Sequence, residues 1–253
     1  MSYFGAMINT NGVIRKAFQR VSGYYMHKYV YLPIGHDLFT DIKLKIKLTP
    51  KTIFDVGANI GQTYNSFSVE FPGADIYCFE PINSTYKELE QHIGTLQNAH
   101  LYNIALGEAN ETIEIKYFEN EDSVYNSLVV DSRNNSSAGS IQQVKVVTGD
   151  TFCQEHLVDE IDLLKIDTEG FEVQVLKGLS QKLGENKVKL VFAEVGFNPE
   201  QKQNTYFNDV NTFMYQHGFS LFGIYEMTNH SISKGITFAN ALYINNSIMA
   251  KGY

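Results

Sequence analysis

The sequence predicts an α/β protein with an open, seven-stranded, mostly parallel sheet and helices on both faces. Three observations predict it. From Thr52 onward, short β-branched or apolar runs alternate with longer amphipathic ones. Ile53–Gln62 reads as a buried strand, a glycine turn and a helix start. A second strand, Ile76–Phe79, ends in an acid and a proline, Glu80-Pro81, which stop it.

Strands are expected at Ile53–Val56, Ile76–Phe79, Leu101–Ile104, Leu163–Ile166, Lys189–Glu194, Ser220–Ile224 and Ala241–Ile244. Helices are expected between them at Gln62–Phe71, Ser84–Ile93, Thr151–His156, Val173–Leu179 and Phe207–His217. The alternation breaks between the third and fourth strands. There Thr112–Tyr117 and Gln143–Val147 show period-two patterning with no helix signal between them, an inserted antiparallel hairpin flanking the Ser/Asn-rich stretch Asp131–Ser140. Ahead of the sheet, Val13–Val21 reads as a short amphipathic helix and Tyr24–Leu32 as an aromatic extended stretch. Residues 1–50 are therefore an N-terminal helical cap segment, and residues 51–253 the main domain.

The chain of 253 residues is long enough to close a hydrophobic core. Its 20 Lys and Arg against 28 Asp and Glu leave a formal net charge of -8, and no dense basic run offers a surface for tracking phosphates, so nucleic acid is not an expected partner. No apolar stretch approaches the roughly 20 residues that span a bilayer. The segment Met1–Tyr31 mixes Arg15, Lys16, Arg20 and Lys28 with aromatics and lacks the apolar core of a secretion signal. Cys78 and Cys153, with no CxxC, make neither a disulfide framework nor a zinc site. A soluble, cytoplasmic protein is expected; oligomeric state is not readable.

The most informative stretch is Asp55-Val56-Gly57-Ala58-Asn59-Ile60-Gly61. Gly57 and Gly61 remove side chains where a ligand approaches backbone, and helix N-terminal amides favour an anionic group. A dinucleotide fingerprint would want glycines where Asn59 and Gln62 stand, so a nicotinamide-dependent oxidoreductase is the disfavoured alternative. The observed pattern suits S-adenosylmethionine, its amino acid end over the turn and Asp55 near its ammonium. Glu80, 23 residues after Gly57, sits where an acid at the neighbouring strand tip accepts hydrogen bonds from ribose hydroxyls. On the third strand, Asn103 can present an amide to the adenine edge, and Ala105 is small enough for backbone to meet the ring.

Together, Asp55-Val-Gly57-Ala-Asn59-Ile-Gly61, Phe79-Glu80-Pro81, Asn103-Ile-Ala105-Leu-Gly107 and Lys165-Ile-Asp167-Thr-Glu169-Gly170 resemble the FkbM-type methyltransferase family. Weaker likeness continues in Phe192-Ala193-Glu194 and Asn240-Ala241-Leu242. The resemblance implies a Rossmann-like class I methyltransferase fold, bound S-adenosylmethionine, and methylation of a hydroxyl oxygen on a small-molecule, sugar or glycan-like acceptor. It places Asp55, Gly57, Asn59 and Gly61 at the methionine part, Glu80 with Pro81 at the ribose, and Asn103 with Ala105 at the adenine. Gly35-His36-Asp37 is similar to a family element that folds over the cofactor. A non-catalytic, cofactor-binding pseudo-methyltransferase is the rival within the same fold.

Methyl transfer from a sulfonium is an in-line displacement, which asks the enzyme to align the attacking atom and exclude water. A hydroxyl attacker also needs a base or a metal, and a positioned base contributes about 10²-fold to 10⁴-fold. Asp167, at the tip of the fourth strand, is the first candidate for touching both donor and acceptor; its competing reading is the N-cap of a helix from Glu169 to Leu179. Glu169 and Glu194 complete the catalytic candidates, with His36 the favoured histidine. Asp167, Glu169 and Glu194 are hard oxygen donors suited to magnesium or calcium, but strand-edge acids serve equally as direct partners of acceptor hydroxyls, so no metal is assigned. Asp122–Leu128 and Tyr24, Tyr25, Tyr29 and Tyr31 are further candidates for an acceptor pocket, with exposed loop and ordinary packing as their plainer readings.

Overall fold

The computed structural model of the chain describes residues 20–22, 32–117, 140–200, 204–229 and 235–249. The expected N-terminal helix and aromatic stretch, the Ser/Asn-rich loop and Asp122–Leu128 fall wholly or mostly outside these residues. Two compact units are present, Met1–Lys47 and Leu48–Tyr253.

In the first unit, the Asp37 carboxylate accepts from the Thr40 N–H at 2.7 Å and caps a helical turn, Leu38–Thr40. That turn runs directly into a six-residue π-helix, Asp41–Ile46, which stops where Lys47 takes a left-handed conformation. Buried Asp41 accepts from the Gly35 N–H at 2.9 Å and pairs with Lys45 one turn on.

The second unit is built on strands β1 (Thr52–Val56), β2 (Asp75–Phe79), β3 (Ala99–Tyr102), β7 (Ile161–Ile166), β8 (Val188–Gly196), β9 (Phe219–Thr228) and β10 (Phe238–Asn245), in spatial order β3-β2-β1-β7-β8-β10-β9. Only β10 runs antiparallel to its neighbours. Every residue of β7 is buried, as expected of a central parallel strand covered on both faces. On one face, Phe54 and Val56 of β1, Phe79 of β2 and Leu164 and Ile166 of β7 join a core with Phe152 of α3 (Gly149–Glu155), Val175 and Leu176 of α4 (Glu172–Lys177), Leu183 of α5 (Ser180–Gly184), and Val210 and Met214 of α6 (Phe207–Gln216). Ile53, Ile76 and Cys78 alternate to the other face and are also fully buried. Helices α1 (Gln62–Glu70) and α2 (Asn83–Ile93) bury Tyr64, Phe67, Leu89 and Ile93, and α1 contacts β2.

Between β3 and β7 the chain makes a second, three-stranded sheet, in order β4-β6-β5, from β4 (Ala105–Leu106), β5 (Glu111–Tyr117) and β6 (Ser140–Val147). β5 and β6 pair antiparallel, with Thr112 opposite Lys145 and Ile113 opposite Val144. Two features depart from expectation. The third main-sheet strand lies two residues earlier than the apolar run implied, because the chain must turn at Asn103 to enter β4. The inserted strands form their own sheet, with Ala105–Leu106 as a third strand, around Ile82, Ala105, Ile115, Val144 and Val146.

Candidate active site

β1 and β7 are neighbours in the sheet, but the chain leaves β1 toward β2 and β3 and leaves β7 toward β8. Their carboxyl ends therefore flank the switch point where open α/β sheets bind ligands. Gly57 follows β1 at φ +80°, and a β-carbon built there would lie 1.8 Å from the Asp167 backbone oxygen. The turn is tied on both sides: the Gly57 and Ala58 N–H groups donate to the Phe79 carbonyl, each at 3.0 Å, and the Asp167 N–H donates to the Val56 carbonyl at 3.0 Å. Above it opens a cavity of about 280 Å³, walled by Gly57, Ala58 and Asn59, by Glu80, Pro81 and Ile82, by Ile104, Ala105 and Leu106, and by Lys165, Asp167 and Glu169.

Glu80 lines the cavity and is only 6% exposed. Its Oε2 accepts from the Asn59 N–H at 3.1 Å and its Oε1 from the Ile82 N–H at 2.9 Å. Asn59 presents that N–H from a left-handed backbone, φ 48°. Burial pushes the carboxyl up to about 7, although the two backbone donors and Lys165 pull the other way. Each carboxylate oxygen keeps a further acceptor site, so a pair of vicinal hydroxyls can be held here. Ile82, Ile104 and Leu106 make the adjoining wall apolar, as a flat heterocycle requires.

A buried lysine also lines the cavity. Lys165 and Asp55 are register partners on β7 and β1, so their side chains leave the sheet on the same face. The Lys165 ammonium lies 3.3 Å from Asp55 Oδ1, 3.4 Å from Asp167 Oδ2 and 3.3 Å from the Gly57 carbonyl. Burial would neutralise an isolated ammonium, but the Asp167 and Asp55 carboxylates outweigh it and raise its pKa above the ordinary lysine value. Asp55 has no exposed surface, and neither of its oxygens has a hydrogen-bond partner among the described residues; the lysine contact is an ion pair without hydrogen-bond alignment. Burial raises the Asp55 carboxyl, opposed by Lys165.

Beyond Lys165, carboxylate oxygens of Asp167, Glu169 and Glu194 all lie within 4.8 Å of one another. Glu169 adopts φ 51°. Burial, then the Asp167 and Glu172 charges, push its carboxyl up to about 8. Burial and the same group of acids push Glu194 up to about 9. Glu194 accepts from the Asn204 amide. Glu172, 1% exposed, underpins the loop: its Oε1 accepts from the Thr168 N–H and hydroxyl and the Gly170 N–H, and its Oε2 from the Thr205 N–H and hydroxyl.

The structure thus brings Gly57, Asn59, Glu80, Pro81, Ala105, Asp167 and Glu169 onto one cavity, with Glu194 beside the last two. Asp55 lies beneath that cavity and reaches it through Lys165. Gly61, at φ 96°, faces Leu89 and Ile93 of α2, and its left-handed backbone accounts for the missing side chain. Asn103 is also outside the walls: its amide donates to the Glu80 and Pro81 carbonyls at 2.8 and 3.2 Å. Asp167 is no N-cap, since α4 starts at Glu172 with Phe171 in the cap position. His36 belongs to the first unit, where it is exposed and its N–H donates to the Pro33 carbonyl. Tyr24, Tyr25, Tyr29 and Tyr31 lie outside the described residues.

Two residues of the site had gone without a role. Lys165 carried a signal, a cation inside the apolar run Leu163-Leu164-Lys165-Ile166. Gln142 carried none: from β6 it donates to the Pro81 carbonyl at 2.7 Å and accepts from the Asn83 N–H at 2.9 Å, fastening the Glu80 turn.

The sheet order, with its single antiparallel strand and a glycine turn at the switch point, is that of a class I methyltransferase. Residues 55–221 match the methyltransferase FkbM domain. The chain belongs to the FkbM methyltransferase family. Among characterised relatives it is similar to 2-O-methyltransferase NoeI of Sinorhizobium fredii, 26% identical over 56% of this chain and 62% of that protein. It is also similar to methyltransferase sdnD of Sordaria araneosa, 27% identical over 70% and 79%, and to hexuronic acid methyltransferase AglP of Haloferax volcanii, 26% identical over 58% of each chain. The match thus spans less than two thirds of NoeI and of AglP.

Proposed function

We propose that this protein transfers a methyl group from S-adenosylmethionine to a hydroxyl oxygen of a small-molecule or sugar acceptor. The observation that carries this reading is the juxtaposition of the Gly57 turn with Asp167 at the β1/β7 switch point, with Glu80 lining the same cavity. These residues fit the donor chemically. Glu80 would hold the ribose hydroxyls, Ile82, Ile104 and Leu106 the adenine, and Asp167 with the Gly57 turn the amino acid end. Bound there, the donor supplies an electrophilic methyl carbon on a sulfonium sulfur. By their names, NoeI is a 2-O-methyltransferase and AglP a hexuronic acid methyltransferase, which supports an oxygen as the methylated atom and a sugar-type acceptor.

Glu169 is the proposed base. It lines the cavity, and a carboxyl raised to about 8 binds a hydroxyl proton more strongly than an ordinary one. Glu194, fixed by Asn204, has a carboxylate oxygen within 4.8 Å of Glu169, and Asp167 orients the groups between donor and acceptor. A metal is not invoked, because an ion bound by Asp167 would sit beside the Lys165 ammonium already 3.4 Å from that carboxylate. His36 is assigned no step. Two buried free thiols, Cys78 and Cys153, fit a cytoplasmic location, and the acidic chain fits the absence of a nucleic acid substrate. No helix among the described residues is long and apolar enough to cross a membrane.

The test is calorimetry with S-adenosylmethionine and S-adenosylhomocysteine, followed by screening hydroxylated sugars and small molecules for S-adenosylhomocysteine release. Micromolar binding with turnover of at least one hydroxyl acceptor is expected. No measurable heat with either ligand overturns the reading.

A further inference from the structure

We propose that Lys165 is a positioning residue for the methyl donor, acting through Asp167: its ammonium holds one oxygen of Asp167 and the Gly57 carbonyl in place, so that the remaining Asp167 oxygen faces the donor's amino acid end. This rests on the methyl-donor reading and adds a residue to it.

The geometry is unusual for a lysine. Three acceptors lie at 3.3, 3.3 and 3.4 Å from one Nζ, the Gly57 carbonyl as a hydrogen-bond acceptor and the Asp55 and Asp167 carboxylates as ion-pair partners, and the side chain is only 7% exposed. An ammonium flanked by two carboxylates has its charge already answered within the protein. Its role is then to fix its partners relative to each other. Those partners are the two sides of the donor site: the Gly57 turn from β1 and the Asp167 tip from β7. Asp55, fully buried beneath, is the counter-charge that lets a cation stay there. Without Lys165, Asp167 would stand against Glu169 and Glu194 with no cation beside it among the described residues, and repulsion would turn it outward.

Removing Lys165 alone strands the Asp55 charge in the core, so the informative variant is Asp55→Asn/Lys165→Met, which removes both charges together. S-adenosylhomocysteine affinity is measured by calorimetry on the full chain, beside thermal unfolding. The expected result is near-native unfolding with affinity at least 10-fold weaker. Adding Asp167→Asn to that double variant should weaken binding less than threefold further, although Asp167→Asn alone weakens wild type at least 10-fold, because residues acting as a unit are non-additive. Lys165→Arg, which keeps the charge, should recover part of the affinity. A purely structural lysine predicts instead that the folded double variant binds as wild type does, and that outcome overturns the proposal. Should the double variant not fold, the wild-type lysine ¹⁵Nζ spectrum decides. A solvent-protected ammonium signal that shifts on saturation with S-adenosylhomocysteine supports positioning, and one that stays put overturns it. A wild-type protein with no S-adenosylhomocysteine heat removes the donor reading and this inference together, whereas a binding wild type with unaffected variants removes only the inference.

Discussion

The Asp167 backbone oxygen occupies the space that a β-carbon on Gly57 would need, 1.8 Å from its ideal position. Two strands whose paired residues lie 110 positions apart in the chain meet here with no room for a side chain between their tips, and the cavity opens above that contact. A glycine here serves the meeting of β1 and β7 as much as any ligand.

Gly57→Ala should therefore damage both fold and binding. A left-handed alanine and an overpacked contact together cost about 2–5 kcal/mol. Thermal unfolding shifted down by several degrees, with S-adenosylhomocysteine binding lost, is the expected outcome; native-like affinity would mean that the turn relaxes freely.

Glu80→Gln should weaken S-adenosylhomocysteine binding roughly 10-fold to 100-fold, the loss of about 1.5–3 kcal/mol expected of hydrogen bonds to a charged group. The wild-type carboxyl, raised to about 7 by burial, is the better acceptor once ionised. Affinity should thus rise from pH 6 to pH 8 in wild type and stay flat in the variant, as calorimetry at three pH values will show.

Stability without ligand should fall as the solution becomes alkaline. Glu80, Glu169 and Glu194 are raised from 4.5 to about 7, 8 and 9, chiefly by burial. Folding takes up protons between each ordinary value and its raised one, so the stabilisation is complete below about pH 4.5 and is lost as the pH climbs through 7 to 9. The melting temperature should decline across that window, and Glu194→Gln should flatten the alkaline part of the decline.

Glu172→Ala should lower the unfolding free energy by about 3–5 kcal/mol, as expected for breaking a buried charged network. Its five donors from Thr168, Gly170 and Thr205 would be left unanswered. Denaturant titration measures the loss, and methyl transfer should fall with it because Glu169 is carried by the same loop.

Magnesium titrated into the protein should produce no binding heat, and prior chelation should leave donor binding unchanged. The Lys165 ammonium beside Asp167 already supplies the positive charge that an ion would bring.

Much of the architecture was legible along the chain because it depends on near neighbours. Alternating apolar runs marked all seven main-sheet strands, and the turn from Asp55 to Gly61 marked the switch-point end of β1. Ala105–Leu106 was missed as a strand, since two residues carry no periodicity, and the helix at Ser180–Gly184 was missed because the expected helix stopped at Leu179. The acids at the strand tips could be named individually, yet Asp55 and Asn103 could not be seen to lie outside the cavity walls.

Residue order alone determined that strands, glycine turn and carboxylates exist and roughly where each begins, because those follow from local patterning and backbone preference. Folding decided which of them meet. Lys165 lies between Asp55 and Asp167, Gln142 grips the Glu80 turn from a separate sheet, and Glu172 fastens Thr168 to Thr205. Each contact joins segments whose separation is set by parallel crossovers and sheet register, and the burial that shifts their charges arises only once those segments pack.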